Sequence, residues 1–250
     1  MNKVSIVGAG PGAIDLLTIR AENRIKVAEV IVWTDSLIPE NIISLANETC
    51  ICVTTSSLTL EEIIHTLIEH AKQGKRVVRL HDCDPCLYGA LSEQICRLTD
   101  EHIDVEVIPG LSAYQATAAT LKAELTIPGL VQTIVLSRAA GRTGIPDKER
   151  LERVASLGAS LCLYLSARHV EQVQETLLKY YPEDTQVAIA YRVSWDDEWI
   201  KTVTLNKMAE ESRKRNLIRT TLYIISPAIH SIGNRSKLYS QEHKHLFRPK

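Results

Sequence analysis

The strongest constraint lies in the first 113 residues: short β-branched runs alternate with helical patterns, and three of the runs break into turns rich in glycine, proline or aspartate. Lys3–Val7 reads as a strand and is followed by Gly8-Ala-Gly-Pro-Gly12. Val77–Leu80 is followed by His81-Asp-Cys-Asp-Pro-Cys-Leu-Tyr-Gly89, and Val105–Ile108 by Pro109-Gly-Leu-Ser-Ala113. Between them Ile14–Val27 carries a helical pattern, and Val30–Trp33 and Thr49–Thr54 read as further strands. Thr59-x-x-Glu62 is a capping box; the helix it opens has apolar residues at 60, 63, 64, 67, 68 and 71 and stops at Gly74. Strands alternating with helices need crossovers, so the expectation is an α/β fold with a parallel or mostly parallel sheet covered on both faces. The three turns then lie along one sheet edge.

A second series follows the alanine-rich helix Ser112–Leu121 and a joint at Leu125–Gly129. Its strands are Gln132–Ser137, Ser160–Leu165, Gln186–Tyr191, Trp199–Leu205 and Thr220–Ile225; its helices start near Lys148 and span His169–Tyr180 and Lys207–Arg215. The later strands come closer together, which predicts a mixed sheet. Two α/β domains are expected, 1–122 and 130–230, with a ligand cleft between them and a polar, basic tail over 231–250.

A net charge of −1 supplies no global field for nucleic acid. No apolar run reaches the roughly 18 residues of a membrane span, and the N-terminus MNKVSIVGAG is a strand rather than a signal peptide, so a cytoplasmic protein is expected. The six cysteines then read as free thiols, with Cys50 and Cys52 on one buried strand face.

What the turns could bind is less settled. Gly8-x-Gly10-x-x-Ala13 fits a dinucleotide fingerprint, and Asp35 follows the second strand, which leaves a flavin or nicotinamide oxidoreductase open. Against it, no turn carries lysine or arginine, and Asp82 and Asp84 would repel a pyrophosphate. Two carboxylates suit a cationic ligand or hydroxyl donors. Cys83-x-x-Cys86 has the placement of a redox dithiol, but too much chain precedes it for a minimal redox fold. No second CxxC or histidine pair completes a zinc site, and no bound metal is expected.

Taken in order, GAGPGAIDLLT, CDPCLYG and PGLSAYQATAA resemble the three signature turns of the tetrapyrrole methylase family. The second-half segments LTIPGLVQTIVLSRAAGRTGIP, LYLSARHVEQV, DTQVAIAYRVSWDDEWI and IRTTLYIISPAI, and the tail SKLYSQEHKHLFR, are similar to the branch that methylates C-11 of precorrin-4 or cobalt-precorrin-4 in cobalamin synthesis. There are two departures: Ala13 stands where an acidic residue usually follows Pro-Gly, with Asp15 two positions on, and Cys83 replaces the glycine before Asp84. A glycine there permits close approach or positive φ, and a Cβ with sulfur narrows that space.

The resemblance implies S-adenosylmethionine as methyl donor, S-adenosylhomocysteine as product, and a donor folded between the two halves. Pro11, Asp82, Cys83, Asp84, Leu87, Tyr88, Ser112 and Ala113 map onto its contacts in the first half, and Leu165, Val193 and Thr221 in the second. Asp84 would accept hydrogen bonds from a polar end of the donor. The macrocycle carries carboxylates, for which Arg138 and Arg142 are the expected pair, with Arg192 and Arg219 near other strand ends, while Gly10 brings backbone close to the substrate. Methyl transfer from a sulfonium demands placement rather than an enzyme nucleophile. His81, Tyr88 and Tyr114 are unranked candidates for a base. A homodimer is expected, with no nucleic-acid or membrane partner. A tetrapyrrole-binding protein without catalysis, disabled by Cys83, stays open as an alternative.

Overall fold

The computed structural model describes residues 2–139 and 144–231. Arg142 and the tail from 232 onward lie outside them. Among the described residues, ten strands form two five-stranded sheets. The chain divides into two compact units: one runs as far as Ala116 and includes Arg192–Glu198, the other holds Thr117–Tyr191 and the chain from Trp199. Arg192–Glu198, which the sequence assigns to the second half, therefore groups with the first.

The first unit holds β1 (Lys3–Gly8), β2 (Val30–Trp33), β3 (Ile51–Thr54), β4 (Val77–His81) and β5 (Asp104–Ile108). Its helices are α1 (Ile19–Val27), α2 (Glu40–Ile43), α3 (Leu60–Lys72) and α4 (Leu91–Asp100); α5 (Ala113–Thr120) carries the chain onward. The sheet is parallel throughout, in the order β3-β2-β4-β1-β5. Successive strand residues point to opposite faces. Val30 and Val32 join Val4, Ile6 and Leu67 of α3 in one cluster, while Ile31 and Trp33 join Val7 and Ile25 of α1 in the other. Both faces are covered, so β2 is an unbroken apolar run and β1 is apolar from Val4 to Val7 but for the buried Ser5. The order also makes β4, β1 and β5 neighbours, which brings the turns after them together at the carboxyl edge. A dinucleotide fold would put β1 beside β2; here β4 separates them.

Three expectations need correction. The helix expected over Ile14–Val27 is split: Ile14–Leu16 forms a 3-10 turn, Leu17 is extended, and Thr18 caps α1 by accepting the Ala21 N–H at 3.1 Å. The β3 strand is a sheet edge, so Cys52 is exposed and Cys50 half-buried instead of sharing a buried face. The stretch 125–129 is no loose joint: Leu125 and Ile127 are buried, and the Ser160 hydroxyl donates to the Leu125 carbonyl at 2.7 Å.

The second unit contains β6 (Ile134–Arg138), β7 (Ser160–Tyr164), β8 (Gln186–Tyr191), β9 (Trp199–Thr204) and β10 (Thr221–Ile225), in the order β6-β7-β10-β8-β9. The β6–β7 pair is parallel and the remaining pairs are antiparallel, giving the mixed sheet expected from the strand spacing. Helices α6 (Leu151–Ala155), α7 (Val170–Leu177) and α8 (Met208–Lys214) close its core around Leu161, Leu163, Ile189 and Tyr223.

The capping box forms as read. The Glu62 N–H donates to the Thr59 hydroxyl at 3.3 Å, and the Thr59 N–H donates to the Glu62 carboxylate at 2.7 Å. Thr59→Ala is expected to destabilise the fold by about 1 kcal/mol, seen as a lower urea midpoint at unchanged slope. An unmoved midpoint would show that the cap contributes nothing.

Candidate functional site

The turns after β1, β4 and β5 meet through backbone. A Cβ on Gly8 would lie 2.6 Å from both the Cys83 carbonyl oxygen and the Gly110 nitrogen, and one on Gly110 would lie 2.1 Å from that oxygen. Only glycine allows this approach. The Gly10 N–H donates to the Cys83 carbonyl at 3.2 Å, the Cys83 N–H to the Gly10 carbonyl at 2.9 Å, and the Ala9 N–H to the His81 carbonyl at 2.7 Å. Asp84 fastens the third turn: one carboxylate oxygen accepts the Gly110 N–H at 3.1 Å, and the other accepts the Cys86 N–H at 2.8 Å, capping its own turn.

Arg192–Glu198 closes over the other end of the glycine turn. The Trp195 indole N–H donates to the Pro11 carbonyl at 3.0 Å, and the Ala13 N–H donates to the Ser194 hydroxyl at 3.0 Å. The N–H groups of Ala9, Gly10 and Ala13 are thus committed inside the protein, whereas a phosphate cradle needs its N–H groups directed at the ligand. Asp35 accepts from the Ser56 N–H at 3.1 Å and the Ser56 hydroxyl at 2.8 Å, stapling neighbouring turns. With the strand order, these bonds set aside the dinucleotide reading. Beside the turn opens a cavity of about 540 Å³ walled in part by Ile14, Asp15, Pro39, Asn41, Trp195 and Asp196.

The electrostatics turn on β4, an apolar strand interrupted by Arg79 and His81, both buried. The Arg79 guanidinium donates to the carbonyls of Val32 (3.1 Å) and Leu80 (3.0 Å) and to the Thr34 hydroxyl (3.3 Å). Burial lowers its pKa to about 10, which leaves it charged at neutral pH. Burial, with Arg79 adding to it, pushes His81 down to about 4. Its ring hydrogen-bonds the Gln94 amide at 3.2 Å, which favours protonation but not enough to offset burial, so the imidazole is neutral, enclosed and a weak base. Burial raises the Asp82 carboxyl, and Arg79 opposes that rise.

Cys83 has φ of +50°, the left-handed conformation that a glycine would adopt freely. Burial, reinforced by the Asp82 and Asp84 carboxylates, pushes its thiol up to about 12, while a hydrogen bond from the Ala113 backbone pulls the other way. The Cys86 thiol is raised too, by burial and then by Asp84. A dithiol oxidoreductase needs a depressed thiol pKa, so this pair has the wrong character for redox chemistry.

The other expected residues of the first unit fall as follows. Pro11 and Val193 are buried, and Leu87 is half-buried with its N–H on the Asp84 carbonyl at 3.1 Å. Tyr88 is exposed and left-handed, at φ +58°. Ser112 is buried before α5, its N–H donating to the Gln115 side chain at 2.8 Å; Ala113 and Tyr114 begin the helix, half-buried. Arg192 stacks on Trp195 at 4.6 Å and pairs with Asp197 at 2.8 Å. In the second unit Leu165 is exposed at φ +52° just after β7, and Thr221 begins β10 with its hydroxyl donating to the Arg219 carbonyl at 2.9 Å. Arg138 ends β6 and donates to the Gly144 carbonyl at 2.9 Å, and Arg219 is exposed. Among the described residues no group of three or more His, Cys, Asp or Glu could hold a metal ion, and no helix is long and apolar enough to cross a membrane.

Sequence reasoning missed two features, Arg79 and the grip of Ser194 and Trp195. An arginine inside VVRLH was the available signal for the first; the second rests on pairs about 180 positions apart, which no local pattern announces.

His81 makes stability depend on pH. The unfolded chain binds a proton near pH 6.5 and the folded one only near 4, so this contribution is full above 6.5 and is lost as pH falls towards 4. The loss should reach about 3 kcal/mol. Urea midpoints measured from pH 7.5 to 4.5 should fall more steeply in the native chain than in His81→Asn; parallel curves would refute the assignment.

A sequence model of the tetrapyrrole (corrin/porphyrin) methylases matches residues 3–209. The cobalt-precorrin-4 C(11)-methyltransferase of Methanocaldococcus jannaschii is 39% identical over 98% of this chain and 96% of its own length. The crystal structure of a cobalamin biosynthetic enzyme, cobalt precorrin-4 methyltransferase, superposes with a TM-score of 0.89 at 34% identity, over 92% of this chain and 97% of that one. Uroporphyrin-III C-methyltransferase from Thermus thermophilus, solved with S-adenosylhomocysteine, gives a TM-score of 0.77 at 25% identity, over 91% and 98%.

Proposed function

The chain belongs to the tetrapyrrole (corrin/porphyrin) methylase family, and from that premise we propose that it transfers a methyl group from S-adenosylmethionine to C-11 of precorrin-4 or cobalt-precorrin-4 during corrin-ring synthesis. It is an S-adenosylmethionine-dependent C-methyltransferase. One observation supports the donor assignment above others: three turns converge at one sheet edge with Asp82 and Asp84 and without a lysine or arginine. That donor set fits a cationic ligand bearing hydroxyl and ammonium groups and disfavours a polyphosphate. The donor, once bound, supplies an electrophilic methyl on a sulfonium.

The protein's own work is placement. Asp82 and Asp84 would accept from the donor's polar groups, away from the sulfur, because a carboxylate beside it would stabilise the charged ground state more than the transition state. Pro11, Cys83, Leu87, Tyr88, Ser112, Ala113 and Val193 would line its remaining surface; the resemblance also assigns Leu165 and Thr221 of the second unit to it. Arg138 and Arg142 are assigned to the macrocycle's carboxylates, and Gly10 to its approach. His81, enclosed and weakly basic, is the poorest of the three candidates for a base, which leaves Tyr88 and Tyr114. We assign the enzyme to the cytoplasm as a homodimer that needs no protein-bound metal, on the family resemblance.

Two measurements test the reading. Titration calorimetry should show S-adenosylhomocysteine binding, and no detectable binding would remove the methylase assignment. Labelled S-adenosylmethionine incubated with precorrin-4, with and without cobalt, should place the new methyl on C-11 by NMR; a methyl elsewhere would refute the regiochemistry. The Cys83 thiol sits at the Ala113 backbone, so Cys83→Gly should tighten S-adenosylhomocysteine binding about fivefold, near 1 kcal/mol. Equal affinity would show that the thiol does not obstruct the donor.

A further inference from the structure

Loop backbone in a buried turn must satisfy its polar groups, and the glycine turn does so from two directions. Its first half, Ala9 and Gly10, bonds to His81 and Cys83 in the turn after β4. Its second half has no such partner there. Instead the Pro11 carbonyl takes the Trp195 indole N–H and the Ala13 N–H finds the Ser194 hydroxyl, each at 3.0 Å. Gly12 between them is what lets the indole seat: a Cβ there would lie 2.4 Å from the ring's Cδ1.

The segment supplying these bonds is itself fixed. Arg192 stacks on the indole at 4.6 Å and is held by Asp197 at 2.8 Å. The Ser194 N–H donates to the Glu198 carboxylate at 2.6 Å, and the N–H groups of Trp195 and Glu198 donate to the carbonyls of Arg192 and Trp195, each at 3.0 Å. Arg192 and Ser194 are left-handed, at φ +45° and +64°. Non-glycine residues hold that conformation only where surroundings impose it. A seven-residue strap with this many internal ties is a preorganised clamp, and the 540 Å³ cavity lies on its side of the turn. No residue of the turns after β4 and β5 lines that cavity.

We propose that Trp195, assisted by Ser194, is a positioning residue that fixes the Pro11–Ala13 half of the glycine turn chiefly for the tetrapyrrole macrocycle, while the Cys83 turn carries most of the hold on the donor. The inference rests on the methylase reading. The strap's hydrogen bonds to the glycine turn end on Pro11 and Ala13, beside the cavity, so its effect falls first on acceptor binding and alignment.

The experiment compares native chain, Trp195→Ala, Trp195→Phe and Ser194→Ala. Trp195→Ala should raise the macrocycle KM at least tenfold and lower kcat, with S-adenosylhomocysteine affinity within twofold of native. Trp195→Phe, which keeps an aromatic ring against Gly12 but loses the N–H, should recover part of the KM. Ser194→Ala should raise KM about threefold. Hydrogen–deuterium exchange over residues 9–16, measured without ligand, should quicken in Trp195→Ala and Ser194→Ala, with residues 82–88 unchanged. Unchanged exchange over 9–16, native KM in a folded Trp195→Ala, or parallel loss of donor affinity would overturn the proposal. Should Trp195→Ala fail to fold, Ser194→Ala decides by the same readouts. If the native chain itself binds no S-adenosylhomocysteine, the methylase reading fails, while exchange over 9–16 still judges the clamp.

Discussion

Everything at the site depends on how closely three backbones approach. Gly8 and Gly110 leave no room for side chains because the Cys83 carbonyl occupies the space. That contact requires β4, β1 and β5 to be adjacent, and the strand order makes them so. The covered sheet in turn requires the apolar runs that give β1 and β2 their character. A single added methyl at position 8 or 110 would push the turns apart and carry Asp84 away from the Gly110 N–H that it holds.

Charge follows from the same geometry. The buried cation beneath this edge, Arg79, donates from its two Nη groups to β2 and β4 carbonyls and the Thr34 hydroxyl, while its buried Nε–H has no partner among the described residues. Its field disfavours protonation of His81 and favours the ionised form of Asp82. The edge therefore presents carboxylates, neutral thiols and a neutral imidazole. An anionic cofactor has little to meet there. The cationic donor proposed for this site would find two carboxyl groups, Asp82 and Asp84, in surroundings that strengthen attraction.

Much of this was legible in the sequence because it is local. Strand runs, the Thr59 capping box and the turn residues each announce themselves within a few positions, and the ordered set of turns carried the family. Competition between local signals was harder to read: Thr18 caps a new helix inside a stretch whose periodicity ran on from Ile14. Edge position was not legible at all, since Cys50 and Cys52 alternate as buried residues would, and only sheet order makes β3 the edge. The strap is the extreme case. Its tryptophan and serine meet the glycine turn across 184 and 181 positions, and nothing near Gly12 betrays the partner.

Backbone strain marks the same places. In the first unit, the described non-glycine residues with positive φ are Cys83, Tyr88, Ala90, His102, Arg192 and Ser194. All but His102 belong to the turn after β4 or to the strap. Each such residue costs about 1 kcal/mol or more, so strain gathered in two segments must be balanced by what holds them. For Cys83 the balance is the paired exchange with Gly10 and the seat on Gly8 and Gly110. For Arg192 and Ser194 it is the indole stack, the Asp197 pair and the Glu198 carboxylate. Both strained segments end on the glycine turn, one at each half. A turn gripped from both sides in this way suits a reaction that asks its frame for placement rather than for an enzyme nucleophile.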